Sequence, residues 1–376
     1  MPNILPIDMT GLGLQYSRLK NEIDQAVTDV MQRAQYINGP EVCVFAENLQ
    51  KYLGVKHVIP CANGTDALQM ALMALELKSG DEVITSAFSF IASAEAILLL
   101  GLTPVFADVE RDTFNIDCTK IESLITPRTK ALLPVHLFGQ GADMNAVQAI
   151  AERHGLYVIE DVAQSLGSVF NIGGGMKKLG TIGDIGCTSF FPSKNLGCFG
   201  DGGACYTNSD AIAERLKMVG KHGAKVKYHH EIAGINSRLD TLQAAILNIK
   251  LKHLDEFITA RINLANQYNK ALKNIADVEL PKTAGGTTHT YNQYTLKVKA
   301  NMRDELQAFL KEKGIPTQVY YPMPLHQQKV FTDAADVKFH CPVSEQLCRE
   351  ALSLPVSTEL KQPTIDYIIN GVKSFW

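Results

Sequence analysis

Four clusters in this sequence have residue types and spacing suited to chemistry. The richest is Thr188-Ser-Phe-Phe-Pro-Ser-Lys-Asn-Leu-Gly-Cys-Phe-Gly-Asp-Gly-Gly203, where a β-rich run breaks at Pro192 and Lys194 stands ahead of a glycine-rich stretch. Lysine forms imines with aldehydes, and it must shed its proton to do so, which requires a desolvated or cationic setting. Proline, glycine and aromatic neighbours would give a rigid, partly buried loop of that kind. A single loop lysine is by default a solvated surface residue, so the argument rests on the ensemble.

The second cluster, Val158-Ile-Glu-Asp-Val-Ala-Gln164, is an apolar strand that ends in an acid. Ligands of open α/β sheets gather at the carboxyl ends of strands, where Asp161 falls. An acid there could hold a pyridine nitrogen protonated and keep a cofactor ring an electron sink, with Gln164 donating to a ring phenolate. Asp161 would equally serve as the cap of a following helix. The third, Cys61-Ala-Asn-Gly-Thr-Asp-Ala-Leu68, leads into a helical pattern. Asn63, Gly64 and Thr65 there offer free amides and a hydroxyl to a phosphate, or simply an N-cap. The fourth is Gly234-Ile-Asn-Ser-Arg-Leu-Asp240. Asn236 could bind phosphate and Arg238 a carboxylate or diphosphate through its planar fork, while Ser237 could equally cap a helix that leaves Arg238 solvated.

The elements that must position these residues follow from periodicity. Residues 81–206 alternate short β-rich runs with helical stretches, the pattern of a mostly parallel sheet flanked by helices. Strands are expected at 82–85, 105–108, 131–135, 157–161, 188–191 and 204–207, and helices at 67–77, 93–100, 120–125, 143–154 and 211–219. A long helix over 239–272 is predicted by Leu242, Ala245, Ile246, Ile249 and Leu251 with few interrupting prolines or glycines. Beyond it come a strand at 294–298, a helix at 303–313, a strand at 317–321 and a terminal helix at 365–375, with 284–288 as a loop. The fold class is therefore α/β, with a large domain over 1–240 and, over 241–376, the connecting helix and a smaller α+β domain.

The 376 residues are 46% hydrophobic and 20% charged, with a net charge of -3 and no run of like charges. That leaves no electrostatic footprint for nucleic acid or an anionic membrane. The start shows no basic segment followed by an apolar stretch, and no apolar run is long enough to span a bilayer, so a cytoplasmic location is expected. Cys43, Cys61, Cys118, Cys187, Cys198, Cys205, Cys341 and Cys348 include no C-x-x-C pair, which points to neither a disulfide framework nor a metal site. No G-x-x-x-x-G-K-[ST] occurs, and neither Gly11-Leu-Gly13 nor Gly173-Gly-Gly175 sits between a strand and a helix as a nicotinamide-binding loop would.

Taken together and in order, the four clusters resemble the DegT/DnrJ/EryC1/StrS family of sugar aminotransferases, which are fold-type I pyridoxal-phosphate enzymes. The resemblance runs from Gln35-Tyr-Ile-Asn-Gly-Pro-Glu-Val42 through Gly80-Asp-Glu-Val-Ile84, Thr126-Pro-Arg-Thr-Lys-Ala131, Pro134-Val-His-Leu-Phe-Gly139 and the Lys194 segment to Asn236-Ser-Arg-Leu-Asp240. It implies that Lys194 carries the cofactor as a Schiff base, Asp161 pairs with the pyridinium and Gln164 contacts the ring oxygen. Gly64, Thr65 and Ser189 would hold the phosphate, and Phe90 matches the aromatic position that stacks on the ring. Asn236 matches a phosphate ligand supplied by the neighbouring subunit, so a homodimer is implied. Tyr36, Arg238, Tyr320 and Tyr321 fall at substrate positions.

Within the family, 61–68, 188–194 and 222–240 look most like enzymes that aminate C3 of a UDP-linked 3-keto sugar, often an N-acetylated uronic acid, with glutamate as donor and 2-oxoglutarate as its product. Such enzymes serve O-antigen and lipopolysaccharide synthesis. The chain departs from them where Tyr320-Tyr321-Pro322 stands in place of His-Tyr-Pro. Alternatives are a C4 aminotransferase acting on UDP- or dTDP-linked 4-keto-6-deoxy sugars, and a cofactor-binding regulatory protein. A dehydratase of the same family would carry histidine at position 194.

Overall fold

Apolar runs such as Ala131-Leu132-Leu133 and Val158-Ile159 can be buried on both sides only inside a sheet covered on both faces. A computed structural model, which describes residues 6–333 and 339–376, places them there. In chain order the strands are β1 (His57–Cys61), β2 (Glu82–Ser86), β3 (Thr103–Ala107), β4 (Thr129–Leu133), β5 (Tyr157–Asp161), β6 (Val169–Ile172), β7 (Gly175–Lys178), β8 (Ile185–Ser189), β9 (Gly203–Thr207), β10 (Ala224–Val226), β11 (His229–His230), β12 (Val278–Glu279), β13 (Tyr294–Val298) and β14 (Ala351–Leu354).

Seven of them form the central sheet, in the order β1-β9-β8-β5-β4-β2-β3. The pairs from β3 through β8 are parallel, whereas β9 runs antiparallel to both β8 and β1. Because side chains alternate along a strand, Leu133 and Ile159 pack on one face with Ala67, Leu68 and Ala71 of α3 (Gly64–Ala74). Leu132 and Val158 pack on the other with Phe45 and Leu49 of α2 (Pro40–Leu53), the helix that follows α1 (Leu12–Arg33). The mostly parallel sheet flanked by helices is the expected α/β architecture.

A second, antiparallel sheet in the order β12-β13-β14 shares a core with Leu264 and Tyr268 of the helix Leu254–Leu272, Leu306 and Leu310 of Arg303–Glu312, and Ile368 of Gln362–Lys373.

Several elements differ from expectation. The helix predicted over 239–272 is two helices, Thr241–Leu251 and Leu254–Leu272, parted at His253, whose φ of -105° and ψ of 2° are not helical. No proline or glycine marks this break. Asp255 and Glu256 do fall in the first turn of the second helix, where acids complement the dipole. The strand expected at 317–321 is absent, and Gln318 makes only an isolated bridge to Ser353 of β14, a strand the pattern did not show. β1 also went unread because Pro60 interrupts it; as an edge strand it tolerates the missing donor. The strand expected at 188–191 lies earlier, at β8, and Pro192 falls inside the connection that follows it rather than at the strand's end.

The alternation along β5 sends Glu160 away from the face to which Asp161 is directed. Glu160 is fully buried and accepts from the amides of Gly180 (2.7 Å), Ile182 (2.8 Å) and Gly183 (2.6 Å) and from His136 Nε2 (2.9 Å). His136 Nδ1 accepts from the Ala142 amide (3.1 Å), which leaves the ring proton on Nε2. A buried carboxylate is tolerated because its lone pairs are satisfied. Glu160→Gln puts an amide NH2 among these donors, and we expect it to lower the urea midpoint at a cost on the order of 3 kcal/mol. An unchanged midpoint would show that the charge is dispensable.

Candidate active site

The carboxyl ends of β5 and β8, the start of α3 and the loop after β8 enclose a cavity of about 850 Å³. Its floor is built by close approach of two chain segments. A Cβ on Gly64 would lie 2.7 Å from Ser189 Cβ, and one on Gly203 2.3 Å from Asn63 O, so both positions need glycine. Asn63 caps α3 by accepting from the Asp66 amide (2.8 Å), which leaves the amides of the first turn directed at the cavity. Gly64, Thr65, Thr188 and Ser189 line it beside that helix start. Such a cup suits an anion.

Asp161 lines the same cavity from the end of β5, with 8% of its surface exposed and one carboxylate oxygen accepting from the Ala163 amide (3.0 Å). Burial raises its pKa, opposed by the Ala163 amide and by the charges of Lys194 and His136. Lys194 faces it. Burial in the wall lowers the Lys194 pKa below the ordinary lysine value, opposed by attraction to Asp161, so the neutral amine is favoured. The lysine loop is held rigidly. Asn292 Nδ2 donates to Ser193 O (3.2 Å), and Asn195 Nδ2 donates to Leu166 O (3.0 Å) and Thr290 Oγ1 (2.9 Å). Gly197 admits the carbonyl of Pro192, which a Cβ would meet at 2.2 Å.

On the opposite wall Gln164 accepts from the Phe138 amide (2.8 Å) and donates to the Tyr321 hydroxyl (3.1 Å). Burial raises the Tyr321 pKa, so its phenol stays protonated. Tyr321 packs against Phe90, their ring centroids 6.3 Å apart, and Phe90 is 56% exposed at the cavity mouth, a flat apolar face fit to stack on a planar ring. Tyr320 lines the cavity as well.

The structure therefore brings together Gly64, Thr65, Phe90, Asp161, Gln164, Ser189, Lys194, Tyr320 and Tyr321. It does not bring Tyr36, Asn236 or Arg238 into this chain's cavity. Asn236 is exposed and Tyr36 is 47% exposed, and the two segments run side by side through the Ile37–Asp240 bridge. Ser237 anchors the turn by accepting from the Ala62 amide (3.0 Å). Sequence reasoning missed Asp66, Thr188, Asp201, Gln293 and Gln318 as lining residues. Asp66, Thr188 and Asp201 lie inside clusters already singled out; nothing local marked the two glutamines.

The donor set fits pyridoxal phosphate: an anion cup at a helix start where Gly64 leaves no room for a Cβ, a buried acid for a basic ring nitrogen, a desolvated lysine for an aldehyde, and an exposed aromatic face. Comparison with known proteins agrees. The chain is 45% identical to a pleiotropic regulatory protein of Geobacillus stearothermophilus, covering 98% of each. It is 43% identical to UDP-2-acetamido-2-deoxy-3-oxo-D-glucuronate aminotransferase of Pseudomonas aeruginosa, covering 96% of this chain and 98% of the relative. The crystal structure of S. venezuelae DesV in complex with a ketimine intermediate superposes with a TM-score of 0.94 at 38% identity, covering 99% of each chain. The model of the DegT/DnrJ/EryC1/StrS aminotransferase family matches residues 17–373, and the chain is therefore a pyridoxal-phosphate-dependent aminotransferase of that family.

Proposed function

We propose that this enzyme transfers the amino group of glutamate to C3 of a UDP-linked 2-acetamido-3-keto-hexose or its uronic acid. The observation that carries this reading is the single cavity joining Lys194, Asp161 and the α3 anion cup, in a chain 43% identical to an aminotransferase named for such a uronate. Bound pyridoxal phosphate supplies an electrophilic carbon for amine exchange and a ring that accepts electron density from the carbon losing its proton. The chain's residues do the rest. Asp161 holds a proton on the ring nitrogen, Gln164 donates to the ring oxygen, and Gly64, Thr65, Ser189 and the partner's Asn236 hold the phosphate. Phe90 covers the ring face. Lys194 Nζ, its pKa lowered by burial, takes and returns the proton at the amino-bearing carbon, which it is held against. Glutamate leaves as 2-oxoglutarate before the keto sugar enters, so the kinetics are ping-pong.

The cavity lining carries Asp66, Asp161 and Asp201 against one basic side chain, Lys194. A nucleotide diphosphate, and still more a uronate, needs further cations. The exposed turn that holds Asn236 and Arg238 supports their role across a two-fold axis, Arg238 pairing with diphosphate or carboxylate and Tyr36 lying nearby. Tyr320 and Tyr321 contact the sugar from the chain's own side. Such a homodimer would act in the cytoplasm on precursors of O-antigen or lipopolysaccharide; no helix among the described residues is long and apolar enough to cross a membrane.

Mass spectrometry of products from UDP- and dTDP-linked 3- and 4-keto sugars with glutamate tests the reaction, with the UDP-linked 3-keto substrate expected to be used best. Preference for a 4-keto sugar would move the reaction to C4, and no turnover on any would favour the regulatory role its Geobacillus relative is named for. Asp161→Asn is expected to cut turnover at least about a hundredfold while the cofactor's affinity falls far less, because the phosphate cup is untouched. Borohydride should tag Lys194 in both proteins. A tag on Lys177 or Lys178 would place the imine elsewhere. Mixing Lys194→Ala with Asn236→Ala subunits should give more activity than either parent, since some mixed dimers then hold one intact site. No gain despite proven exchange would confine Asn236 to its own chain's site or to neither.

A further inference from the structure

Hydrogen bonds have a direction, and a chain of them with one end fixed decides where its last proton goes. Here the fixed end is the Phe138 amide, which can only donate. It donates to Gln164 Oε1 (2.8 Å), so the side-chain oxygen of Gln164 faces Phe138 and its NH2 faces the other way. That NH2 donates to the Tyr321 hydroxyl (3.1 Å), which is therefore the acceptor of the pair. The phenol's own proton is left over. It is donated to no acceptor among the described residues, and Tyr321 is a half-buried residue of the cavity lining, so the proton is offered to what occupies the cavity.

Both ends of this relay are rigid. Phe138 packs edge-on against Phe88 and Phe114, with centroids 6.4 and 5.0 Å away, and its carbonyl accepts from the Gln293 amide (3.3 Å). The Tyr321 ring meets Phe88 edge-on at 5.9 Å and leans on Phe90 at 6.3 Å. Just ahead of it in the chain, Gln318 exchanges backbone hydrogen bonds with Ser353 of β14 (3.1 and 2.8 Å). A donor aimed before the substrate arrives costs no reorganisation when charge develops on its acceptor. Its position follows from the cofactor's chemistry. In pyridoxal the carbon that exchanges amines is attached beside the ring oxygen, and Gln164, which contacts that oxygen in the reading above, is the residue that holds Tyr321. The phenol thus flanks the reacting carbon on the ring-oxygen side.

We propose that Tyr321 is a catalytic residue whose hydroxyl donates to the carbonyl oxygen of the incoming keto sugar and holds the negative charge that gathers there as nitrogen adds to the carbonyl carbon. This rests on the Gln164 contact in the reading above, and not on which sugar carbon is aminated, because the phenol is placed against the cofactor rather than against a sugar position. The oxygen departs as water with the two hydrogens that the nitrogen gives up, so the phenol ends the step with its own proton. Burial keeps that phenol protonated, as a donor must be.

Tyr321→Phe removes the hydroxyl and keeps the ring that packs on Phe88 and Phe90. In that holoenzyme, circular dichroism and borohydride tagging of Lys194 check the fold and the imine. Three quantities are then compared with the wild type: the absorption maximum of the resting cofactor, the rate at which glutamate exchanges its α-hydrogen for solvent deuterium, and kcat/KM for the keto sugar that the wild type turns over best. The first two involve no carbonyl oxygen. The maximum should stay in place and the exchange rate within about threefold, while kcat/KM falls about a hundredfold, the loss expected when one donor to a developing oxyanion is removed. A parallel fall in exchange and turnover, or turnover near that of the wild type, would overturn the proposal. A shifted maximum with slowed exchange would overturn it too, and give the proton to the ring oxygen. A wild type that prefers a 4-keto sugar removes the C3 reading alone, since the comparison is made on whichever sugar is used.

Discussion

Complete burial of the Glu160 carboxylate is the constraint from which the site's geometry follows. A charge taken out of water is tolerated only when its lone pairs are met by well-placed donors. Glu160 obtains them from His136 and from three amides of the β7–β8 connection, so it ties the neighbouring β4, β5 and β8 into one rigid unit. The backbone amide of His136 also donates to Asp161 O (2.9 Å). Asp161 is thus held from behind while its side chain emerges on the other face. Ser189, at the far end of β8, inherits its place opposite Gly64 from the same strand pairing.

In front of this frame the energetics invert. Behind the sheet a carboxylate is satisfied; in the cavity Asp161 and Lys194 are both desolvated and only partly compensated, and burial moves each pKa toward its neutral form. A ligand that brings a basic nitrogen to one and an aldehyde to the other relieves both. The half-exposed Phe90 ring has the same character. Local stability has been given up along this cavity wall, which is how binding sites differ from cores.

The excess of acid over base in the cavity limits what one chain can bind. Anionic substrates must meet cations that this lining lacks, and Asn236 and Arg238, on the turn that Ser237 ties to Ala62, are not among the lining residues.

The α/β class, the lysine loop and the acid at the end of β5 are legible in the sequence alone, because hydrophobic alternation, proline and glycine placement and capping residues are local properties. It also showed the ordered motifs from which the family follows. It missed β1 and β14, and it ran two helices into one at His253, because those choices are made by neighbours distant in sequence: an edge position that accepts Pro60, a partner strand in β13, and opposing packing of Leu254 and Phe257 into different cores. That Gln293 lines the cavity while Tyr36, Asn236 and Arg238 do not is fixed by how distant segments fold together. Whether a polar side chain meets solvent, a partner or a ligand depends on which segments close around it, and no spacing along the chain encodes that.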